Sequence, residues 1–325
     1  MRTLARLAVA AALVLAPAIA WSDDTKSKDT LCWKVTRDGA EVHLLGSIHL
    51  ATEDLYPLQK EVEDAYDRSK HLVVEADIGK GAGEVQAMVM EKGMLPEGDS
   101  LSKHVSKETL ELLEKQAEKY GIPMEALDRV RPWLIALQLQ AMAMQKLGLD
   151  GSFGIDKHFL DQAAATKKPV LELEGVEAQL SMLAGFSDDL QEKFLKSTVA
   201  DNKAMRTQLK DMLAAYKAGD AKKLEEITFG GLTKEPDLKP FFEKMFDERN
   251  VKMVEKVDGY LKTKEPHFVV VGAGHLLGPK GILKLLEDKG CKVVAVKGSG
   301  PSAKRKADAP KESPKGEPKA APKDE

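Results

Sequence analysis

The chain has 325 residues, 31% of them charged and only 5% aromatic, with a formal net charge of −3. That charge divides into +2 for residues 1–20, +2 for residues 298–325 and about −7 for the body between them. An acidic body excludes the basic footprint of a nucleic-acid binder, and two cysteines as far apart as Cys32 and Cys291 exclude a zinc-knuckle pattern.

Arg2 and Arg6, the apolar run Leu7–Leu15 and the small-x-small triplet Ala18-Ile19-Ala20 read as a cleavable secretory signal over residues 1–20. Its apolar run is too short to span a bilayer, and no other segment approaches that length. The mature protein is therefore expected in a periplasm or outside the cell, with no transmembrane anchor. Residues 21–30 form an N-terminal linker, residues 31–297 one α/β domain, and residues 298–325 a Lys/Pro/Ala-rich tail too poor in apolar side chains to order.

Within the domain, 31–37 and 41–46 form a hairpin around the Asp38-Gly39 turn. A helix follows over 58–69, entered through Pro57, and then a short buried strand over 71–76 with Glu75 at its end. Apolar spacings of three and four predict helices over 83–92, 106–120, 123–128 and 132–147, with Ser106 as a cap and Pro132 as a first helical residue. Helix 155–166 leads to a strand over 168–174 that ends in Glu174. Helices resume at 176–184, 188–216, 219–227 and 240–262. The chain closes with strand 267–272, helix 279–288 and strand 291–296. Strands at both ends and a helical middle imply an α/β fold: a small, partly parallel mixed sheet under a large helical insertion that acts as a cap or lid. Each cysteine opens a strand-like segment, and two readings stay open: a Cys32–Cys291 disulfide, or two lone buried thiols.

One tetrapeptide pattern occurs twice. Val42-His43-Leu44-Leu45 runs into Gly46-Ser47-Ile48-His49, and Phe268-Val269-Val270-Val271 runs into Gly272-Ala273-Gly274-His275. With 25 Gly and 7 His in the chain, two Gly-x-x-His copies are only mildly above chance, so the context carries the weight: both terminate a strand-like run. If the two runs are neighbouring strands, His49 and His275 leave the sheet at one edge, joined there by Glu75 and Glu174. Two imidazoles and a carboxylate suffice to hold a catalytic divalent metal with an open water position, which would lower the pKa of that water and polarise a carbonyl. His49, Glu75 and His275 are the candidate metal ligands. Glu75 is also the candidate general base, with Asp77 a weaker one. Gly46 and Gly272 would let backbone or substrate approach closely. Arg249, beside Asn250 on a helix, either holds a substrate carboxylate or oxyanion or forms a structural ion pair. Asp156 and Glu174 are candidate partners for the imidazole N–H groups. The competing reading is that the two histidines are structural residues at strand ends.

These residues fall in six blocks: Leu-Leu-Gly-Ser-Ile-His (44–49), Val-Val-Glu-Ala-Asp (73–77), Gly-Ile-Asp-Lys-His-Phe (154–159), Leu-Glu-Gly-Val-Glu-Ala-Gln (173–179), Glu-Arg-Asn (248–250) and Val-Val-Gly-Ala-Gly-His-Leu-Leu-Gly (270–278). In that order they resemble the TraB/GumN family, whose animal relatives include the Tiki proteases. Ser47 departs from the pattern, where the family usually has Thr, but a hydroxyl is kept. The resemblance implies an α/β core with paired Gly-x-x-His motifs and an active-site glutamate. For the Tiki branch it implies metal-dependent peptide cleavage, with manganese or cobalt as the usual metal; the ligand types also suit zinc. Carried over, it assigns His49, Glu75 and His275 to the metal and places Arg249 and Asn250 in the Arg-Asn position, on a peptide or small-molecule substrate. The expected function is an extracytoplasmic metal-dependent hydrolase, and the alternative is a non-catalytic periplasmic binding protein for a peptide, haem or metal.

Overall fold

The computed structural model describes residues 28–302 except 80, 201 and 231–235. The expected signal and nearly all of the expected tail lie outside the described residues. The strands are β1 (Lys28–Arg37), β2 (Ala40–Ser47), β3 (His71–Val74), β4 (Val170–Glu172), β5 (His267–Gly272) and β6 (Lys292–Gly298). The helices are α1 (Lys60–Arg68), α2 (Ala82–Gly93), α3 (Lys107–Tyr120), α4 (Pro132–Gln145), α5 (Ile155–Thr166), α6 (Val176–Ala184), α7 (Asp188–Ala200), α8 (Asn202–Ala218), α9 (Ala221–Phe229), α10 (Lys239–Phe242), α11 (Glu248–Thr263), α12 (Ala273–Leu276) and α13 (Ile282–Asp288).

The strands form one mixed sheet in the order β4-β3-β5-β2-β1-β6. β4, β3, β5 and β2 run parallel, and β1 is antiparallel to both β2 and β6. The expected partly parallel sheet is therefore present, with the next-to-last strand inserted at its centre. Phe268, Val269, Val270 and Val271 of β5 are all fully buried. Alternate side chains of a strand face opposite ways, so helices cover both faces of the sheet there. On one face the Phe268 ring meets Tyr66 of α1 and Phe159 of α5, at centroid distances of 5.7 and 4.9 Å. Truncating such a residue costs about 3–5 kcal/mol. β1 begins at Lys28, inside the expected linker, because Lys28 still pairs with Gly298 of β6.

The helical middle has a second core. Leu101, Leu113, Trp133, Ile135, Phe194 and Leu195 are buried among one another, apart from the cluster that backs the sheet. Ser106 caps α3, accepting from the Thr109 N–H, and Pro132 opens α4, both as the sequence predicts.

Two helices differ from expectation. The predicted helix over 123–128 is only a 3-10 turn over Met124–Ala126, whereas α7 and α8 cover the predicted helix over 188–216 on either side of residue 201, which lies outside the described residues. The predicted helix over 240–262 contains a π-helical turn over Glu243–Asp247 between α10 and α11. Its extra residue lets Phe241 face the helical core while Met253, Val254 and Val257 face the sheet. Among the described residues no helix is long and apolar enough to cross a membrane.

Both cysteines are free and buried, which corrects the disulfide reading. Trp33 pairs with Ala295 and Thr36 with Lys292, so Cys291 lies at the far end of β1, where the Arg37 guanidinium reaches its sulfur at 3.8 Å. Five residues of strand separate that end from Cys32, roughly 17 Å, against the 7 Å or less between Cα atoms that a disulfide spans.

Candidate functional site

Strand register builds the site. Ser47 of β2 pairs with Gly272 of β5, and Val74 of β3 pairs with Val270 of β5 and Glu172 of β4. β2 and β5 therefore end level, β3 and β4 end two residues short of them, and Glu75, Glu174, His49 and His275 follow within three residues of those ends. This carboxyl edge is where open α/β sheets place their sites. The two glycines act on the protein's own atoms. A Cβ on Gly46 would lie 3.1 Å from the Ala273 backbone, and one on Gly272 would lie 3.1 Å from the Glu75 carboxylate. Gly46 thus admits the turn carrying His275, and Gly272 admits Glu75.

Glu75 is buried and held on both oxygens. Oε1 accepts the Gly272 N–H at 2.6 Å, while Oε2 accepts from Gln179 Nε2 at 3.0 Å and Arg249 Nη2 at 3.2 Å. Burial pushes its pKa up, but His275, His49, Arg249 and the Gly272 N–H outweigh burial and hold it at about 2. Of these, Arg249 is charged at every relevant pH.

Arg249 is spent on the protein itself. Its Nε and Nη2 bind Glu174 at 2.6–3.1 Å and Nη1 donates to the Met245 carbonyl at 2.9 Å. Of the two readings left open by the sequence, the geometry is that of a buried ion pair. Asn250, the next residue, points to the other imidazole. Its Nδ2 donates to the Lys280 carbonyl at 2.9 Å, so its Oδ1 must accept from Nδ1–H of His275, at 2.6 Å. This fixes the tautomer: Nε2 of His275 carries a lone pair, and it lies 3.9 Å from Glu75 Oε1. Burial pushes His275 down to about 4, so the ring is neutral at neutral pH.

His49 has the opposite environment. Its Nδ1 lies 2.9 Å from Asp156 Oδ2, and Ser47 Oγ donates to Oδ1 of the same carboxylate at 3.0 Å. Asp156 sits in the first turn of α5, which abuts this loop through an Ile155 N–H to Ile48 carbonyl bond of 3.1 Å. Asp156 raises His49 to about 9. The side chain is 63% exposed, so solvent screens that pair. Ser47 spends its proton on Asp156. Asp77 lies aside, accepting the Gly79 N–H at 3.0 Å in the wall of a cleft of about 550 Å³ that also includes Glu84, Met88, Glu174 and Glu177.

The sequence reading missed two residues. Gln179 of α6 binds both Glu75 and Glu174; its place in the block 173–179 was the available signal. Phe246, in the π-helical turn, packs against His275 with the rings tilted and their centroids 5.1 Å apart, and the broken helical period there hides it.

Residues 31–295 match the TraB/PrgY/gumN family. The chain belongs to that family. Among curated relatives of this TraB/PrgY/gumN protein, the uncharacterized protein YbaP of Escherichia coli (strain K12) is 35% identical over 146 residues, 45% of this chain and 53% of YbaP. YbaP of Shigella flexneri gives the same figures. The chain thus spans about half the length of the YbaP proteins it matches. An uncharacterized protein of Treponema pallidum (strain Nichols) is 23% identical over 279 residues, 81% of each chain. No solved structure gives a significant match.

The metal implied by the TraB/PrgY/gumN resemblance can be tested against the donors. Among the described residues no group of three or more His, Cys, Asp or Glu side chains is gathered to hold a metal ion. The donor chemistry nonetheless suits one. The Nδ1 atoms of both imidazoles are engaged, which orients their Nε2 atoms, and His275 Nε2 faces a carboxylate oxygen with no proton between them. On His49, coordination through Nε2 would require loss of a proton.

Proposed function

We propose that this protein is a divalent-metal-dependent hydrolase, a peptidase, acting outside the cytoplasm. The observation that carries the reading is the 3.9 Å gap between His275 Nε2 and Glu75 Oε1. Two acceptors face each other across it with their remaining atoms held by the protein, a pairing that a cation or an attacking water satisfies and that packing alone does not require. His275, Glu75 and His49 would hold manganese, cobalt or zinc, which supplies a nucleophilic water near neutral pH and polarises the scissile carbonyl.

The chain's own residues divide the remaining work. Asn250 keeps the His275 lone pair directed into the site. Arg249 and Gln179 keep Glu75 ionised, with Oε1 turned toward His275 Nε2 where a cation would be held. Asp156 orients His49 by accepting from its Nδ1–H, so that Nε2, once its proton is lost, is turned to a metal. The secretory pattern of residues 1–20 supports the location.

Purified mature protein, loaded with each metal, should cleave members of a peptide library and lose that activity with chelator, in His49→Ala and in His275→Ala. A fully active double variant would exclude the reading. The cleft of about 550 Å³ beside Glu174, lined also by Met88 and Val176, favours a second reading, capture of a peptide, haem or metal without turnover. Stoichiometric binding with no product by mass spectrometry would establish that one.

A further inference from the structure

We infer that Gln179 is a positioning residue that aims the Glu75 carboxylate, an inference that rests on the hydrolase reading for its consequence but not for its geometry. Gln179 has two side-chain N–H groups and uses one on each carboxylate, Glu75 Oε2 at 3.0 Å and Glu174 Oε2 at 3.2 Å. Its amide orientation is fixed, because the flipped amide would set an oxygen against two carboxylates. Arg249 cannot replace it. The guanidinium makes its shorter bonds to Glu174, at 2.6–3.1 Å, and reaches Glu75 only at 3.2 Å. Arg249 thus anchors Glu174, and Gln179 ties Glu75 to that anchor. With Oε2 tied, Oε1 is the oxygen left to meet the Gly272 N–H at 2.6 Å and to face His275. Gln179 also belongs to α6, whose Val176, Glu177, Ala178 and Ser181 line the neighbouring cleft, so its amide links the helix bordering that cleft to the Glu75 carboxylate.

The Gly272 amide reports on the arrangement without metal or substrate, since a short charge-assisted bond to a carboxylate moves its proton resonance downfield. Proton–nitrogen NMR spectra of metal-free wild type, Gln179→Met and Glu75→Ala give the test. The methionine fills the same space without donors. Gln179→Asn, which keeps the amide on a shorter arm, repeats the measurement should methionine disturb folding. In Gln179→Met and Gln179→Asn the Gly272 resonance is expected to move at least halfway to its position in Glu75→Ala. Mn²⁺ affinity, read by chelator competition, should weaken about tenfold, and kcat should fall with KM little changed. A Gly272 resonance that stays at its wild-type position overturns the inference whatever the activity. If the resonance moves but wild type binds no Mn²⁺ and cleaves no peptide, the hydrolase reading fails while the positioning role stands.

Discussion

Replacing Arg249 with methionine keeps most of the side chain's apolar stem and removes its charge. Arg249 and Glu174 side chains are each 11% exposed and Glu75 is 8% exposed. An exposed ion pair would contribute about 0.2–1 kcal/mol, but removing one member of a buried pair leaves uncompensated charge and costs about 3–5 kcal/mol. Burial decides for the larger figure. The pH dependence follows from Glu75, whose pKa is about 2 in the folded protein against an ordinary 4.5. A depressed carboxylate stabilises the fold above its unfolded pKa, and that stabilisation is lost as pH falls through the folded value. Arg249→Met removes part of it, so the deficit should be fullest above about pH 5 and narrow on acidification. Urea denaturation at pH 7 and at pH 4, with comparable slopes, measures both. A loss below about 1 kcal/mol at pH 7, or one that grows at pH 4, refutes the account of the ion pair.

Asn250→Ala releases the His275 ring and leaves the Lys280 carbonyl without its donor. Peptide turnover should drop about 10–100-fold with a stability loss of only about 1–3 kcal/mol, and an unchanged turnover would remove Asn250 from the site. In Asp156→Asn, the His49 pKa should fall from about 9 toward the ordinary 6.5, as followed by histidine NMR. Because the group is raised in the fold, its stabilising contribution is present below 6.5 and lost as pH passes 9, and an unmoved titration would mean that Asp156 is not the cause. Burial pushes the Cys32 thiol up to about 12, and Cys291 is buried too. A thiol reagent should label neither in the native protein and both in denaturant, whereas a mass 2 Da below the reduced chain would contradict the strand register.

The parts of the fold legible in sequence are those where one residue type has one physical use. A largely apolar run at 42–45 and a valine-rich one at 268–271 give β2 and β5, and an abrupt glycine after each marks the edge of the sheet. Ser106 and Pro132 announce their helices because capping and a fixed φ are local. Pairing between distant segments is not local. Nothing in the spacing of Cys32 and Cys291 tells that β1 and β6 run antiparallel, with Cys32 midway along β1 and Cys291 beside its far end. The π-helical turn over 243–247 is concealed by the same logic, since its apolar residues serve two cores and satisfy no single period. In the site, acidic and imidazole side chains stand out by their chemistry. Gln179 does not, because a glutamine one turn into an amphipathic helix reads as ordinary surface until two carboxylates are found against it.

β5 is the fifth strand to be synthesised and lies between β3 and β2. Before residues 267–272 take their place, the polypeptide has two unconnected ribbons, one bearing Glu75 and the other His49, with the second imidazole still absent. Any power this cleft has over other molecules is therefore withheld until β5 and the turn carrying His275 have been made and placed. The wait is lengthened by closing a loop of about 200 residues between neighbouring parallel strands, contacts of the kind that slow folding. A prematurely terminated chain would thus be inert as well as unstable, without a separate inhibitory segment to keep it so.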